Sequence, residues 1–255
     1  MNKFKKYKIV FTSDLRSDKV NIKEIASRRR VGNELEKISK NKWKQLVIKA
    51  KSDGKKLWES EVYRFETVKF SGGNLNFTVS TIPFSVRLGM NSFTDRVKKL
   101  GLDFASLGLF SSCFVLTKDK KYLFIEKSDK YYTNRKYSFI GGVISKSERV
   151  LKNGQDLFGV VAKEIVEEST ISPSKIRNLR LRDGYITENY NFCLLFEAEL
   201  KVTFKELKES FSKKKIDEAL NIIGIGRKEL PDFIKKLPDK DLPKFEILNL
   251  GGTEA

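Results

Sequence analysis

Short runs rich in apolar residues recur along the chain and predict strands. They span residues 8–12, 62–70, 75–79, 84–88, 110–116, 122–126, 179–185, 192–200 and 220–225. Apolar residues at helical spacing predict helices over 22–51, from Ser92 or Thr94 onward, from Gln155 or Asp156 to Ser169, over 204–212 and over 228–236. Strands that alternate with helices indicate an α/β fold with a mixed sheet.

The pattern changes near residues 100–106, and we place a domain boundary there. Residues 1–105 are predicted to form a smaller α+β domain that serves substrate recognition. Residues 106–255 form the second domain, whose first two apolar runs are joined by Thr117-Lys118-Asp119-Lys120-Lys121, a segment typical of a hairpin turn. A chain of 255 residues is long enough to bury a core as one domain or two.

Composition limits the chemistry that the chain can perform. Hydrophobic residues make up 40% of the sequence, with 19 Phe and 8 Tyr, which predicts a folded protein. There is no histidine, so imidazole zinc sites and histidine-based triads are excluded. Cys113 and Cys193 lie in apolar runs and are expected to be buried thiols. Carboxylates, amines, hydroxyls or metal-bound water must therefore carry any reaction.

The net charge of +18 favours polyanionic partners such as phosphorylated metabolites or nucleic acid. Because the lysines are scattered rather than arranged in a stripe, a generally lysine-rich surface explains the charge as well as nucleic-acid binding does. No apolar run reaches the roughly 18 residues that a membrane span needs, and the first residues lack the apolar core of a signal peptide. We therefore predict a cytoplasmic protein that does not contact membranes.

Three carboxylates stand out on the predicted helix that ends at Ser169. Glu164, Glu167 and Glu168 project within about one third of the helix circumference, so one ion could touch all three. Such clusters are usually solvated surfaces, but Glu164 and Glu168 continue the apolar stripe of the helix. Anions beside a buried face need a compensating cation. Carboxylate oxygens favour a hard ion, Mg²⁺ or alternatively Mn²⁺.

The segment Lys163-Glu164-Ile165-Val166-Glu167-Glu168, preceded by Gly141-Gly142, resembles the signature of Nudix hydrolases. The matching half of that signature reads Arg-Glu, an aliphatic residue, any residue, Glu-Glu, any residue and Gly. Lys163 stands in place of the arginine, Thr170 in place of the glycine, and Gln155 in place of an upstream glutamate. The spacer after Gly142 is also longer than the signature has.

The resemblance implies a Nudix-like α/β/α sandwich with a mixed sheet, preceded by the smaller domain. It implies Mg²⁺-dependent hydrolysis of a nucleoside diphosphate linked to another moiety. Glu164, Glu167 and Glu168 would hold the metal, and Gly142 would offer backbone atoms to it. An ion pair between Asp156 and Lys163 could replace the usual Glu–Arg brace.

A longer spacer and a preceding domain are similar to one branch of the superfamily, the UDP-glucose and UDP-galactose diphosphatases. The stretches that resemble that branch are Arg87 to Asp95, Ser106-Leu107-Gly108, Gly141-Gly142, Asp156-Leu157-Phe158 and Thr187-Glu188-Asn189. The resemblance thus implies a nucleotide sugar such as UDP-glucose as substrate, giving nucleoside monophosphate and sugar phosphate.

Several further residues are candidates for roles at such a site. Glu164, Glu168 or Glu188 could take part in catalysis, with Glu164 or Glu188 accepting a proton. Arg87 and Arg64 could bind phosphate through their guanidinium groups. The aromatic rings that could stack on a base are those of Tyr63, Phe93 and Tyr137. The plain alternatives are a solvated loop glutamate, exposed arginines and aromatic residues of the core.

Two other functions remain open from the sequence. A basic Nudix protein could act on the 5′ ends of RNA or on another nucleotide. The altered signature, with Thr170 and Gln155, could also belong to a nucleotide-binding module without catalysis. The sequence does not specify the base, the sugar, the phosphorus attacked or the oligomeric state.

Overall fold

The protein is described here by a computed structural model that covers residues 8–26, 33–128, 136–213 and 219–237. Its strands are β1 (Lys8–Leu15), β2 (Val20–Glu24), β3 (Glu61–Ser71), β4 (Asn74–Pro83), β5 (Leu109–Leu116), β6 (Lys121–Lys127), β7 (Tyr137–Ser138), β8 (Ile176–Ile186), β9 (Phe192–Leu200) and β10 (Ala219–Gly226). Its helices are α1 (Asn33–Ser52), α2 (Phe84–Met90), α3 (Thr94–Leu100), α4 (Gly154–Ser169), α5 (Phe204–Ser212) and α6 (Leu230–Lys236).

The strands form two sheets. The larger has seven strands in the order β1-β8-β9-β5-β6-β10, with β7 paired to β6. The smaller has the order β2-β4-β3, in which β2 runs parallel and β3 antiparallel to β4. The predicted α/β class with mixed strand pairing is confirmed.

The chain divides into two compact units, and each combines segments that are distant in sequence. Unit 1 comprises Met1–Ser112, Gly141–Val161 and Arg180–Phe196. Unit 2 comprises Cys113–Ile140, Ala162–Leu179 and Glu197–Ala255. The domain boundary between residues 105 and 106 stays a prediction.

Unit 1 is built around the hairpin of β3 and β4. Gly72 and Gly73 form its turn with φ of 57° and 74°, a conformation that two-residue hairpin turns require and glycine adopts readily. The stacked rings of Phe65 and Phe192 lie 3.9 Å apart, and Phe77 packs against both. These aromatic contacts form much of the core of the unit.

In unit 2, the end of β5 and the start of β6 form the predicted hairpin and pair at Leu116 and Tyr122. Helix α5 begins where the sequence predicts, because Thr203 and Glu206 form a reciprocal capping box at its start. Strand β10 pairs antiparallel with β6 along most of its length. The predicted positions of both elements are confirmed.

Two predicted elements are wrong. Residues 84–88 form part of helix α2 rather than a strand, because α2 is buried on nearly all sides and its apolar residues follow no helical period. Residues 22–24 belong to β2, in which Val20 and Ile22 are buried alternately, rather than to the following helix. The predicted helix also includes residues 27–32, which lie outside the described residues.

Candidate functional site

Helix α4 carries the three candidate carboxylates, and local sequence explains its position. The side chain of Asn153 accepts a hydrogen bond from the backbone of Asp156 at 3.1 Å, which caps the first turn. Leu157, Val161 and Ile165 recur every four residues and are 1% exposed or less. This apolar stripe fixes which side of the helix faces the interior.

The three carboxylates have different surroundings. Glu164 is half-buried. Glu167 is exposed and forms an ion pair with Lys163, one helical turn earlier, at 3.5 Å. Glu168 is only 3% exposed. A surface pair such as the one at Glu167 contributes little to stability, whereas a buried carboxylate needs compensation.

Lys127, at the end of β6, provides that compensation for Glu168. Its ammonium group donates a hydrogen bond to Oε1 of Glu168, and the two side chains are 16% and 4% exposed. Removing one partner of a buried pair leaves an uncompensated charge, which costs several kcal/mol. The pair therefore holds the end of β6 and the last turn of α4 together.

Lys127 also occupies an oxygen that a divalent cation at these residues would need. Carboxylate oxygens are the ligands that Mg²⁺ and Mn²⁺ prefer, and the ammonium group shows that Glu168 is placed to hold a cation. In the part of the chain that the structure describes, however, no three Asp, Glu, Cys or His side chains converge closely enough for a metal. As they are placed here, the carboxylates do not form a metal site, and a divalent cation at Glu168 would also have to displace Lys127.

The end of α4 has an unusual backbone conformation at Thr170. The helix ends at Ser169, and Thr170 follows with φ of 62°. A β-branched residue rarely adopts this left-handed conformation, which glycine commonly provides after a helix. The signature that the sequence resembles has its glycine at this position. The backbone at Thr170 therefore takes a conformation that glycine would adopt more readily.

The two glycines that precede the long spacer lie against β5. Gly141 has φ of 135°, and a Cβ there would lie 2.4 Å from the backbone oxygen of Ser111, so no other residue fits without a shift. The carbonyl oxygen of Gly142 accepts a hydrogen bond from the Ser111 amide at 2.9 Å. Its role at a metal stays a prediction.

Asp156 and Lys163 each have a partner other than the one predicted. Asp156 accepts hydrogen bonds from Arg149 and from the backbone of Lys152, while Lys163 pairs with Glu167. Seven residues along a helix span about 10 Å, whereas a residue one turn away is within easy reach. The brace between Asp156 and Lys163 stays a prediction.

Two of the predicted substrate-binding residues are interior residues of unit 1. Tyr63 is 0% exposed, and its hydroxyl accepts a hydrogen bond from the Leu151 amide at 2.9 Å. Burial raises the pKa of Tyr63. Arg64 is 1% exposed and donates to the carbonyl of Ala105 at 2.9 Å. Through these hydrogen bonds, Tyr63 and Arg64 hold the backbone at Leu151 and Ala105 in place.

The remaining candidates are distributed over both units. Arg87, on α2 in unit 1, is 8% exposed, and burial lowers its pKa to about 10. Phe93 is half-buried just before α3, and Glu188 is exposed in the loop between β8 and β9. In unit 2, the ring of Tyr137 packs against Phe233 with centroids 6.0 Å apart.

Three separate stretches of unit 1 converge near Arg87. The backbone of Gly108 packs so closely that a Cβ there would lie 2.3 Å from Cδ of Arg87. The amide of Leu107 donates to the carbonyl of Tyr190 at 2.9 Å, and the side-chain amide of Asn191 donates to Oδ1 of Asn91 at 3.0 Å. These stretches include or adjoin the segments that resemble the UDP-sugar branch.

Comparisons with known proteins give weak structural likenesses. A MutT protein from Methanosarcina mazei Go1 has 13% identity and a TM-score of 0.38, with 58% of this chain and 96% of that chain covered. Tm1382, a proposed Nudix hydrolase, has 12% identity and a TM-score of 0.40, with 76% and 98% covered. DR0079 from Deinococcus radiodurans has 10% identity and a TM-score of 0.40, with 56% and 82% covered.

These likenesses are too weak to carry an argument about the fold or function of this chain. No protein-family model matches the sequence, and no curated protein matches it either. Among the helices that the structure describes, none has the length and apolar character that crossing a membrane requires.

Sequence reasoning missed Lys127 and Asn191. Lys127 directly follows an apolar run that was correctly predicted as a strand, so it was identifiable as a strand-end cation. Its partner was not, because Glu168 lies 41 positions away. Asn191 lies just after the segment that resembles the UDP-sugar branch, and only the fold shows its contact with Asn91.

Proposed function

We propose that this chain is a hydrolase of the Nudix type that cleaves a diphosphate linkage in a nucleoside diphosphate derivative. The observation that carries the proposal is the left-handed conformation of Thr170, directly after the helix with Glu164, Glu167 and Glu168. A threonine has no intrinsic reason to adopt this conformation. Its presence where the Nudix signature has glycine supports a shared backbone geometry in addition to the shared carboxylates.

Nucleotide sugars such as UDP-glucose are the proposed substrate class, with nucleoside monophosphate and sugar phosphate as products. Support comes from the convergence of Gly108, Arg87 and the pair Asn91–Asn191 in unit 1. Three of the sequence stretches that resemble the UDP-sugar branch are far apart in the chain but meet here. Their convergence is expected if they serve one binding function.

The chain's own residues would act mainly by binding the metal ion and accepting a proton. Glu164, Glu167 and Glu168 would hold Mg²⁺ or Mn²⁺ once Lys127 has left Glu168. When bound, the ion would neutralise charge on the diphosphate oxygens and make water a better nucleophile. Glu164 or Glu188 would accept the proton of the attacking water.

The test is a screen of nucleoside diphosphate derivatives with Mg²⁺ and with Mn²⁺, run on the wild type beside Glu167→Gln and Glu168→Gln. The exposed carboxylate of Glu209 on α5 provides a matched control, Glu209→Gln. We expect turnover of a nucleotide sugar by the wild type and the control, and a loss of at least about 100-fold in the two α4 variants. Equal turnover by all four proteins would remove these residues from the mechanism.

A second candidate function is nucleotide binding without hydrolysis. The buried pair between Lys127 and Glu168 favours it, because an ammonium group already neutralises the carboxylate that a metal would need. In this case calorimetry would detect nucleotide binding, while the screen would detect no turnover with either metal. Turnover of 5′-triphosphorylated RNA alone would instead overturn the proposed substrate class.

A further inference from the structure

Arg87 is a buried arginine without a polar partner among the described residues. It is 8% exposed, and its Nε is buried without a hydrogen bond. Within residues 8–26, 33–128, 136–213 and 219–237, no side chain or carbonyl forms an ion pair or a hydrogen bond with it. Its guanidinium group lies over the ring of Phe84, whose centroid is 5.7 Å away.

Arg64 shows how this protein otherwise accommodates a buried arginine. Its guanidinium group donates to the carbonyls of Ala105 and Asp103 and lies 3.8 Å from the carboxylate of Glu66. A buried charge is tolerated when it is paired and hydrogen-bonded. Arg64 meets this condition through its carbonyl and carboxylate partners, whereas the described residues give Arg87 no comparable partner.

The residues around Arg87 leave space for its guanidinium group and offer a second polar side chain. Gly108 lies so close that a Cβ would be 2.5 Å from Nε of Arg87, so a side chain there would displace the group. The carbonyl of Gly108 accepts a hydrogen bond from the Phe192 amide. Asn191 directly precedes Phe192 and therefore lies close to Gly108.

Asn191 also has unused hydrogen-bonding capacity. It is 6% exposed, and its Oδ1 is buried without a hydrogen bond. Its Nδ2 donates to Oδ1 of Asn91, which lies one helical turn after Arg87 and so on the same side of that segment. Phosphate oxygens accept hydrogen bonds, so Asn191 would contact a phosphate after its side-chain amide turns and presents Nδ2 in place of Oδ1.

We propose that Arg87, together with Asn91 and Asn191, binds a phosphate group of the nucleotide substrate within unit 1. The identity of the ligand as a nucleotide rests on the proposed function. A guanidinium group can donate two parallel hydrogen bonds to phosphate oxygens, and the asparagine amides can donate to a third. The bound phosphate supplies the negative charge that the described residues do not place beside Arg87.

The experiment measures ligand binding in EDTA, so that neither a metal nor turnover is involved. Pyrophosphate and UDP are titrated into the wild type, Arg87→Met, Arg87→Lys and the charge-matched control Lys98→Met, whose side chain is exposed on α3. We expect Arg87→Met to weaken binding at least about tenfold, since hydrogen bonds to charged groups are lost. Arg87→Lys should bind with intermediate affinity, and Lys98→Met should match the wild type.

Thermal unfolding without ligand separates this role from a purely structural one. Arg87→Met should unfold at the same or a higher temperature than the wild type, because an unpaired buried charge is replaced by an apolar side chain. Arg64→Met should unfold at a lower temperature, because its carbonyl partners are left unsatisfied.

Two results would overturn the inference. One is unchanged binding of both ligands by Arg87→Met, and the other is a marked loss of its ligand-free stability, which would make Arg87 a structural residue. Binding that depends on Arg87, in a protein that shows no turnover in the metal-dependent screen, would support the phosphate site while refuting hydrolysis.

Discussion

The ammonium group of Lys127 contacts the carboxylate of Glu168, and both side chains are largely withdrawn from water. The two residues come from different elements, the end of β6 and the last turn of α4. A cation that binds Glu168 must therefore compete with a tethered ammonium group at high local concentration. This relationship makes the metal affinity of the carboxylates depend on a residue that is not itself a ligand.

Replacing Lys127 with Met is expected to raise the affinity for Mn²⁺, because the competing cation is removed. Without metal the variant should lose about 3 kcal/mol of stability, since the buried carboxylate of Glu168 loses the ammonium group that pairs with it. Added Mn²⁺ should restore much of this loss. Electron paramagnetic resonance of free Mn²⁺ and urea denaturation measure the two effects.

Lys163→Met is the control for that variant, because Lys163 forms an exposed ion pair with Glu167. It should cost less than about 1 kcal/mol. Unchanged Mn²⁺ affinity in Lys127→Met would show that Lys127 does not limit metal binding.

Replacing Thr170 with Gly should stabilise the protein. The left-handed conformation costs an ordinary residue about 1–2 kcal/mol, and the extra freedom of glycine in the unfolded chain costs about 0.5–1 kcal/mol. The expected gain is therefore about 0.5–1 kcal/mol, measured by urea denaturation. A loss of stability would mean that the weak contacts of Thr170 with Ser210, at 3.3 Å, matter more than backbone strain.

Gly141→Ala should destabilise the protein by about 3 kcal/mol or more, combining backbone strain with a steric clash. The new Cβ would lie 2.4 Å from the backbone oxygen of Ser111. Gly54→Ala is a matched control, since Gly54 has φ of 66° but a Cβ added there would meet nothing within 4 Å. It should cost about 1 kcal/mol from strain alone. Similar losses in both variants, compared by thermal unfolding, would contradict the predicted clash.

Stability at high pH should depend on Tyr63. Burial raises its pKa in the folded protein, so the unfolded chain releases this proton at a lower pH than the folded chain does. Stability is therefore intact below the unfolded pKa of about 10 and falls as the pH rises above it.

In Tyr63→Phe this contribution is absent. Above about pH 10, the free energy of unfolding of the wild type should fall relative to that of the variant by up to about 1.4 kcal/mol per pH unit. Urea denaturation at several pH values between neutral and alkaline measures it. A difference that does not change with pH would show that the pKa of Tyr63 is the same in the folded and unfolded states.

Local sequence determined much of the secondary structure. The start of α5 follows from Thr203 and Glu206, which lie three positions apart and cap the helix through their own contacts. The carboxylates of α4 share one side of the helix for the same reason, because helical geometry relates residues a few positions apart. The position of α2 could not be predicted, since a helix buried on nearly all sides carries no amphipathic pattern.

The sequence by itself thus determined which side chains could carry chemistry and on which elements they lie. Only the tertiary structure decided their partners: Arg64 pairs with carbonyls of its own unit, Arg87 has no polar partner among the described residues, and Glu168 is neutralised by Lys127. The physical reason is that capping and periodicity act over a few residues. Burial and ion pairing depend instead on which distant segments the fold brings into contact.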